Sequence, residues 1–132
     1  MTGFPLKIVT PDGLEFDGIA ESLTVRTVSG DVGIMAKHVD FVAPLGMGEA
    51  TIVIDGQRKR AACIGGMVSV INGAVNLVPT TFEWADEIDV ARAEASEKRA
   101  QAILASKTAT DTEIKLAKAR MKRALVRMNV RK

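Results

Sequence analysis

The chain is poor in aromatic side chains. Its 132 residues include no tyrosine, one tryptophan and four phenylalanines. Proteins that bind single-stranded nucleic acids usually stack the bases on aromatic rings, and here Phe4, Phe16 and Phe41 fall in apolar strand patterns. A basic-tailed β module that binds nucleic acid through counterion release is therefore a disfavoured alternative.

Cysteine and histidine are each present once. With Cys63 alone no internal disulfide can form, which fits a reducing compartment. The apolar neighbours of Cys63 predict a buried, unreactive thiol. His38 has no cysteine or carboxylate cluster beside it, so we expect a structural hydrogen bond there and no metal site. No set of nucleophile, base and acid emerges, so we expect no catalytic residue and no enzyme.

Long apolar runs are also missing. No stretch is long enough to span a bilayer, and the N-terminus lacks a basic and then apolar signal pattern, so no membrane insertion is expected. The net charge of +2 conceals an asymmetry: residues 1–85 carry −3, residues 86–106 carry −2 and residues 107–132 carry +7. This cationic end predicts an acidic partner or an anionic ligand.

Residues 1–84 read as strands. Apolar residues alternate, and turns interrupt them at 10–13, Asp55-Gly56 and Asn72-Gly73. Asp-Gly and Asn-Gly between apolar runs are strong hairpin signals, since both central residues of a type I′ turn need φ > 0. Short strands separated by turns predict an antiparallel β-sandwich or flattened barrel.

Residues 85–132 contain no glycine or proline and predict two helices. The first should run from about Glu87 to Ala105 with Asp86 as N-cap and acidic residues in its first turn. A break at 106–109 precedes a capping box formed by Thr110 and Glu113, and a second helix runs from about Asp111 to Asn129. Their short connection predicts an antiparallel hairpin, and hence an α+β protein with two domains, 1–84 and 85–132.

The apolar stripes of both helices contain mostly small residues. The expected stripe of the first helix is Ile88, Ala91, Ala95 and Ala102, and that of the second is Ile114, Ala117, Met121, Ala124 and Met128. Alanine favours helix but buries little area. The hairpin should therefore be strongly helical and only weakly held by packing, as a switch requires.

The register of this hairpin brings arginines together. With the turn centred near residue 108, Arg92 lies beside Arg123 or Ala124, and Asp89 lies near Arg127. A polyphosphate could bridge the guanidinium groups, whose geometry matches phosphate oxygens. Alternatively, Asp89 and Arg92 form an ordinary i,i+3 pair on one helix.

Three stretches resemble the epsilon-subunit family of bacterial F-type ATP synthases. They are Gly30-Asp31-Val32-Gly33 through His38 to Leu45, then Ile64-Gly65-Gly66-Met67-Val68-Ser69-Val70 with Asn72, and Ile88-Asp89-Val90-Ala91-Arg92-Ala93. The resemblance covers nearly the whole chain. Asp40, Met67 and Ser69 depart from it, because the family usually has proline, phenylalanine and glutamate there.

The resemblance implies a sandwich of about ten strands and a non-catalytic central-stalk subunit of a proton-translocating enzyme. Its partners would be the gamma subunit, the c-subunit ring and the catalytic alpha and beta subunits, at the cytoplasmic face of the bacterial membrane. The hairpin would rest folded or extend into the catalytic head, where the basic second helix blocks ATP hydrolysis. On this chain that helix offers Lys115, Lys118, Lys122, Arg123 and Arg127. A purely structural stalk linker is the alternative.

Some members of the family bind ATP through the pattern Ile/Leu-Asp-x-x-Arg-Ala, which is intact here at residues 88–93. The resemblance implies a nucleotide site made of Glu83, Asp89, Arg92, Ala93, Arg123 and Arg127. ATP would be a regulatory ligand, with or without Mg²⁺.

Overall fold

A computed structural model describes residues 3–131, which form two compact units on either side of the Trp84–Ala85 bond. The first unit contains eight strands: β1 Phe4–Thr10, β2 Gly13–Ala20, β3 Ser22–Thr27, β4 Gly30–Ile34, β5 Phe41–Pro44, β6 Met47–Ile54, β7 Gln57–Ile71 and β8 Ala74–Trp84. The second contains a short 3-10 helix, Ala85–Glu87, and two helices, α1 Val90–Ala105 and α2 Asp111–Arg131. The predicted α+β fold is confirmed.

The long strands β7 and β8 connect the two halves of the sheet. The order is β2-β1-β8-β7-β6-β3-β4, and β5 pairs with β7 beside this path. Residues 57–64 of β7 pair with β6, whereas residues 67–70 pair with β5. Counting each half of β7 and β8 separately gives two five-stranded layers. The expectation of about ten strands and the observed eight therefore describe the same sandwich.

Gly65 and Gly66 lie between these halves of β7 and have positive φ values of 68° and 96°. The Gly66 carbonyl accepts a hydrogen bond from the Leu45 N–H at 2.8 Å, and the Gly65 N–H donates to the Gly46 carbonyl at 3.0 Å. Glycine is required here because other residues rarely adopt this backbone conformation. Strand β7 therefore continues through both glycines.

A single apolar core fills the space between the layers. Alternate residues are buried along β1, β3 and the first part of β8, as a period-two pattern requires. The core includes Leu6, Leu23, Ile52, Val68 and Leu77. The predicted antiparallel pairing holds except between β1 and β8, which run parallel. Cys63 is buried in this core as predicted, and its burial raises the pKa of the thiol to about 12.

The loops confirm two further predictions. Asp55-Gly56 and Asn72-Gly73 have positive φ at both central residues, as type I′ turns require. His38 Nδ1 donates a hydrogen bond to the Val39 carbonyl oxygen at 2.8 Å. Nearby, the Asp40 carboxylate accepts a hydrogen bond from the Asn72 N–H at 2.9 Å, which ties the loop before β5 to the β7–β8 turn.

Gly66→Ala should lower the free energy of unfolding of the sandwich by about 3 kcal/mol or more. An added Cβ would lie 2.0 Å from the Val78 carbonyl oxygen, and φ is already positive. Gly33→Ala in β4 is the matched control, because its Cβ would meet nothing within 4 Å. We expect the control to change stability by less than about 0.5 kcal/mol. Equal denaturation midpoints for the two variants would contradict this account.

Candidate functional site

The first helix of the hairpin begins later than predicted. Its N-cap is Asp89, whose carboxylate accepts a hydrogen bond from the Arg92 N–H at 3.0 Å. The expectation that Asp86 caps the helix and that acidic residues occupy its first turn was wrong: Asp86 and Glu87 belong to the 3-10 helix, and the first turn of α1 has no acidic residue. Asp86 and Asp89 are the same residue type three positions apart, so N-cap preference alone did not separate them.

The buried residues of α1 and α2 are alanines, apart from Val130 near the end of α2. Ala93 and Ala100 are buried on α1, and Ala117 and Ala124 on α2; their exposed fractions are 4%, 1%, 0% and 1%. Members of each pair are seven residues apart, and α1 and α2 pack along each other. Small side chains allow helix axes to approach closely. The predicted stripe of α2 is confirmed, with Ile114, Met121 and Met128 half-buried.

The predicted stripe of α1 was wrong. Ala91, Ala95 and Ala102 are exposed, whereas Ala93 and Ala100 are buried. The error came from anchoring the periodicity on Ile88, which is buried but precedes the N-cap and so does not belong to the helix. Since many positions of α1 are alanine, composition could not reveal which of them face α2.

The connection between the two helices agrees with the prediction made from the sequence. Helix α1 ends at Ala105, and the Ser106 N–H donates to the Ile103 carbonyl at 3.1 Å. The capping box is confirmed: the Glu113 N–H donates to Thr110 Oγ1 at 3.2 Å, and the Thr110 N–H donates to Glu113 Oε1 at 3.4 Å. These hydrogen bonds fix the start of α2.

Five of the six predicted nucleotide residues lie on the hairpin. Asp89, Arg92 and Ala93 stand at the start of α1, where Asp89 and Ala93 are also joined by the first helical hydrogen bond, at 3.1 Å. Arg123 and Arg127 are half-buried and one turn apart on α2. Glu83 belongs to the sandwich unit, half-buried in β8 opposite Ala62.

The Arg92 side chain is available for an anion. Arg92 is exposed, and within residues 3–131 no carboxylate lies within ion-pair distance of its guanidinium group. The i,i+3 ion pair considered from the sequence is therefore not formed, because Asp89 turns its carboxylate to the backbone. An exposed guanidinium without a carboxylate partner can form paired hydrogen bonds with phosphate oxygens.

The basic residues of α2 form an exposed surface. Lys115, Lys118 and Lys122 are all exposed, and Lys118 and Lys122 are one helical turn apart. Sequence reasoning missed a further contact at the end of this helix: Arg131 Nη1 donates to the Ala85 carbonyl oxygen at 3.1 Å. No local pattern signals a contact between residues 46 positions apart.

Between residues 3 and 131 no three or more His, Cys, Asp or Glu side chains are grouped so as to hold a metal ion. No helix in the same span is both long and apolar enough to cross a bilayer.

Comparison with known sequences matches both units to one family. Residues 3–85 match the family described as ATP synthase, Delta/Epsilon chain, beta-sandwich domain, and residues 86–132 match its long alpha-helix domain. The ATP synthase epsilon chain of Ruminococcus albus is 41% identical over 131 residues, covering 98% of this chain and 97% of its own length. That of Shouchella clausii is 36% identical over 132 residues, covering 100% and 97%.

Solved structures show the same fold. A chain of the Euglena gracilis mitochondrial ATP synthase OSCP/F1/c-ring assembly superposes with a TM-score of 0.83 at 19% identity, covering 95% of this chain and 79% of that one. A chain of the Tetrahymena thermophila mitochondrial ATP synthase central stalk and c-ring gives 0.62 at 16% identity, covering 97% and 96%. At these identities the likeness establishes the fold.

Thr110→Ala should destabilise the hairpin by about 1 kcal/mol, because the Glu113 N–H loses its acceptor. Amide hydrogen exchange in the first turn of α2 should become faster by about fivefold. Thr112→Ala is the matched control, an exposed threonine within the helix. The capping assignment fails if both variants exchange alike.

Proposed function

The chain belongs to the delta/epsilon family of ATP synthase subunits, and from this premise we propose how it works as an epsilon subunit of the central stalk of a bacterial F-type ATP synthase. The sandwich would dock on the other stalk and ring subunits. The hairpin would be a mobile, ATP-sensitive brake on ATP hydrolysis. The subunit itself would be non-catalytic and peripheral, at the cytoplasmic face of the membrane.

An exposed apolar patch on the outer face of the sandwich supports the docking role. Val42, Met67 and Val78 are 59%, 43% and 47% exposed. Met67 lies directly opposite Val78 across β7 and β8 and opposite Pro44 across β7 and β5, so these side chains are neighbours on three strands. Contiguous exposed apolar surface is typical of subunit interfaces. We assign this face to contacts with the gamma subunit and the c-ring.

The charge of α2 supports the braking role. Residues 107–132 carry a net charge of +7, and Lys115, Lys118 and Lys122 project from a surface-exposed part of the helix. A helix of this kind would be drawn to an acidic segment of the catalytic alpha and beta subunits, since complementary charge accelerates and orients association. We infer that α2 reaches this segment after it is released from α1, which the small contact through alanine allows.

The single observation that best supports nucleotide binding is the exposed Arg92 guanidinium group, which is not paired with a carboxylate within residues 3–131. Arg92 has no carboxylate partner within residues 3–131, and it is the arginine of the family pattern at residues 88–93. We assign the triphosphate to Arg92, Arg123 and Arg127, and Glu83, Asp89 and Ala93 complete the assigned site. Any Mg²⁺ would enter as part of the nucleotide.

ATP would then stabilise the closed hairpin only through unequal affinity for its two states. A thousandfold preference for the closed state would contribute about 4 kcal/mol, more than enough to reverse a marginal equilibrium. When ATP is scarce, α2 would separate and inhibit hydrolysis. When ATP is abundant, the bound triphosphate would keep the brake folded.

Arg92→Ala should weaken ATP binding to the isolated chain by about tenfold or more, because a charge-assisted contact with phosphate is lost. Isothermal titration calorimetry measures the affinity, and denaturation of the sandwich should be unchanged. Arg120→Ala, an exposed arginine on α2 outside the assigned site, is the control. Unchanged affinity in Arg92→Ala removes the site, and a wild-type chain that does not bind ATP leaves the structural-linker alternative.

Replacing Lys115, Lys118 and Lys122 together by glutamine should relieve inhibition in the assembled enzyme. We expect ATP hydrolysis at low ATP concentration to rise by about threefold or more, since the attraction to the acidic segment is lost. Lys98→Gln with Arg99→Gln on α1 is the charge control and should change little. Inhibition that persists unaltered in the triple variant would show that the brake does not depend on these charges.

A further inference from the structure

Asp89 holds the start of α1 through both its side chain and its backbone. With φ −84° and ψ 98°, it has the extended conformation of an N-cap residue. Its Oδ1 accepts the Arg92 N–H at 3.0 Å, and its carbonyl oxygen accepts the Ala93 N–H at 3.1 Å. Two consecutive backbone groups of the nucleotide pattern thus bond to one residue.

The group that Asp89 binds is the backbone of Arg92, whose side chain is assigned to the phosphates. The cap therefore determines where the Cα of Arg92 stands and in which direction its side chain leaves the helix. Because the carboxylate is bonded to the backbone, it does not pair with the guanidinium group, which keeps its charge available.

A direct contact between Asp89 and the phosphates is electrostatically unfavourable. A carboxylate beside a triphosphate brings like charges together, and this repulsion opposes binding. The capping role has no such penalty and does not need the negative charge itself. Aspartate, asparagine and serine are about equally good N-caps, since each places an oxygen within reach of the N–H groups in the first turn.

We propose that Asp89 is a positioning residue of the nucleotide site, which acts by capping α1 at Arg92 and not by contacting the ligand. This inference rests on the proposed function, since it concerns the same site. It predicts that capping geometry, and not charge, at position 89 sets the affinity for ATP.

Two substitutions separate geometry from charge. Asp89→Asn removes the charge and keeps a capping oxygen at the same distance from the backbone. Asp89→Glu keeps the charge but lengthens the side chain by one methylene, so the oxygen no longer suits the N-cap. In calorimetry with ATP, Asp89→Asn should bind within about twofold of the wild type, whereas Asp89→Glu and Asp89→Ala should bind about fivefold more weakly or worse. Asp89→Ser should restore most of the affinity lost in Asp89→Ala, as another capping residue.

The capping itself is measured without nucleotide. The Arg92 amide should be protected from hydrogen exchange in the wild type, Asp89→Asn and Asp89→Ser, and exposed in Asp89→Glu and Asp89→Ala. Glu87→Gln, which removes a nearby charge outside the cap, should change neither readout.

The outcomes are distinct. If the wild type binds ATP and Asp89→Glu binds well while Asp89→Asn fails, the carboxylate is a ligand and the positioning role is overturned. If exchange at the Arg92 amide is the same in all variants, the cap does not control the helix start and the inference is also overturned. If the wild type and Arg120→Ala do not bind ATP at all, the proposed function fails and this inference fails with it.

Discussion

The packing of α1 on α2 through alanine is the constraint on which the account of this protein depends. Four buried alanines, Ala93, Ala100, Ala117 and Ala124, line the buried face of the hairpin. Each buries far less apolar area than a leucine would, and buried apolar area stabilises the fold by about 25 cal/mol per Å². Alanine therefore gives the two helices a high intrinsic helix propensity, but their packing against each other adds little stability. A helix pair of this kind can be opened by a free energy of a few kcal/mol, such as that released when a ligand or a partner binds.

Charge acts on this weak contact in two directions. In the proposed brake, the basic residues of α2 would favour a partner outside the hairpin, whereas an anion shared by Arg92, Arg123 and Arg127 would favour the closed pair. The sandwich is held together differently from the hairpin, because its apolar core is continuous. Strand β7 also joins its two layers through Gly65-Gly66. Under the proposed function, the sandwich would be the docking unit and the loosely held hairpin would be the brake.

Much of this fold could be predicted from the sequence, because its signals are local. Alternating apolar residues, the Asp55-Gly56 and Asn72-Gly73 turns and the Thr110 capping box each depend on a few neighbouring residues. The errors arose where several residues satisfy the same local rule. Asp86 and Asp89 are equally suited by residue type to cap α1, and alanines lie on all sides of the helix, so only packing selects Asp89 and the buried face.

The site was partly predictable for the same reason. The residues of the 88–93 pattern are adjacent in sequence, whereas the Arg131–Ala85 contact joins the two ends of the unit and has no local signal. That the Arg92 guanidinium lacks a carboxylate partner within residues 3–131 could be learned only from side-chain geometry.

The most direct test measures the separation of α1 and α2 in the isolated chain with and without ATP. Spin labels at Ala95→Cys and Leu125→Cys occupy exposed positions, and Cys63 stays unlabelled in the core. The account predicts one narrow, short distance distribution with saturating ATP, and a broader distribution that extends to longer distances without it. Identical distributions in both conditions, with ATP binding confirmed in the same sample, would contradict the claim that nucleotide holds the hairpin closed.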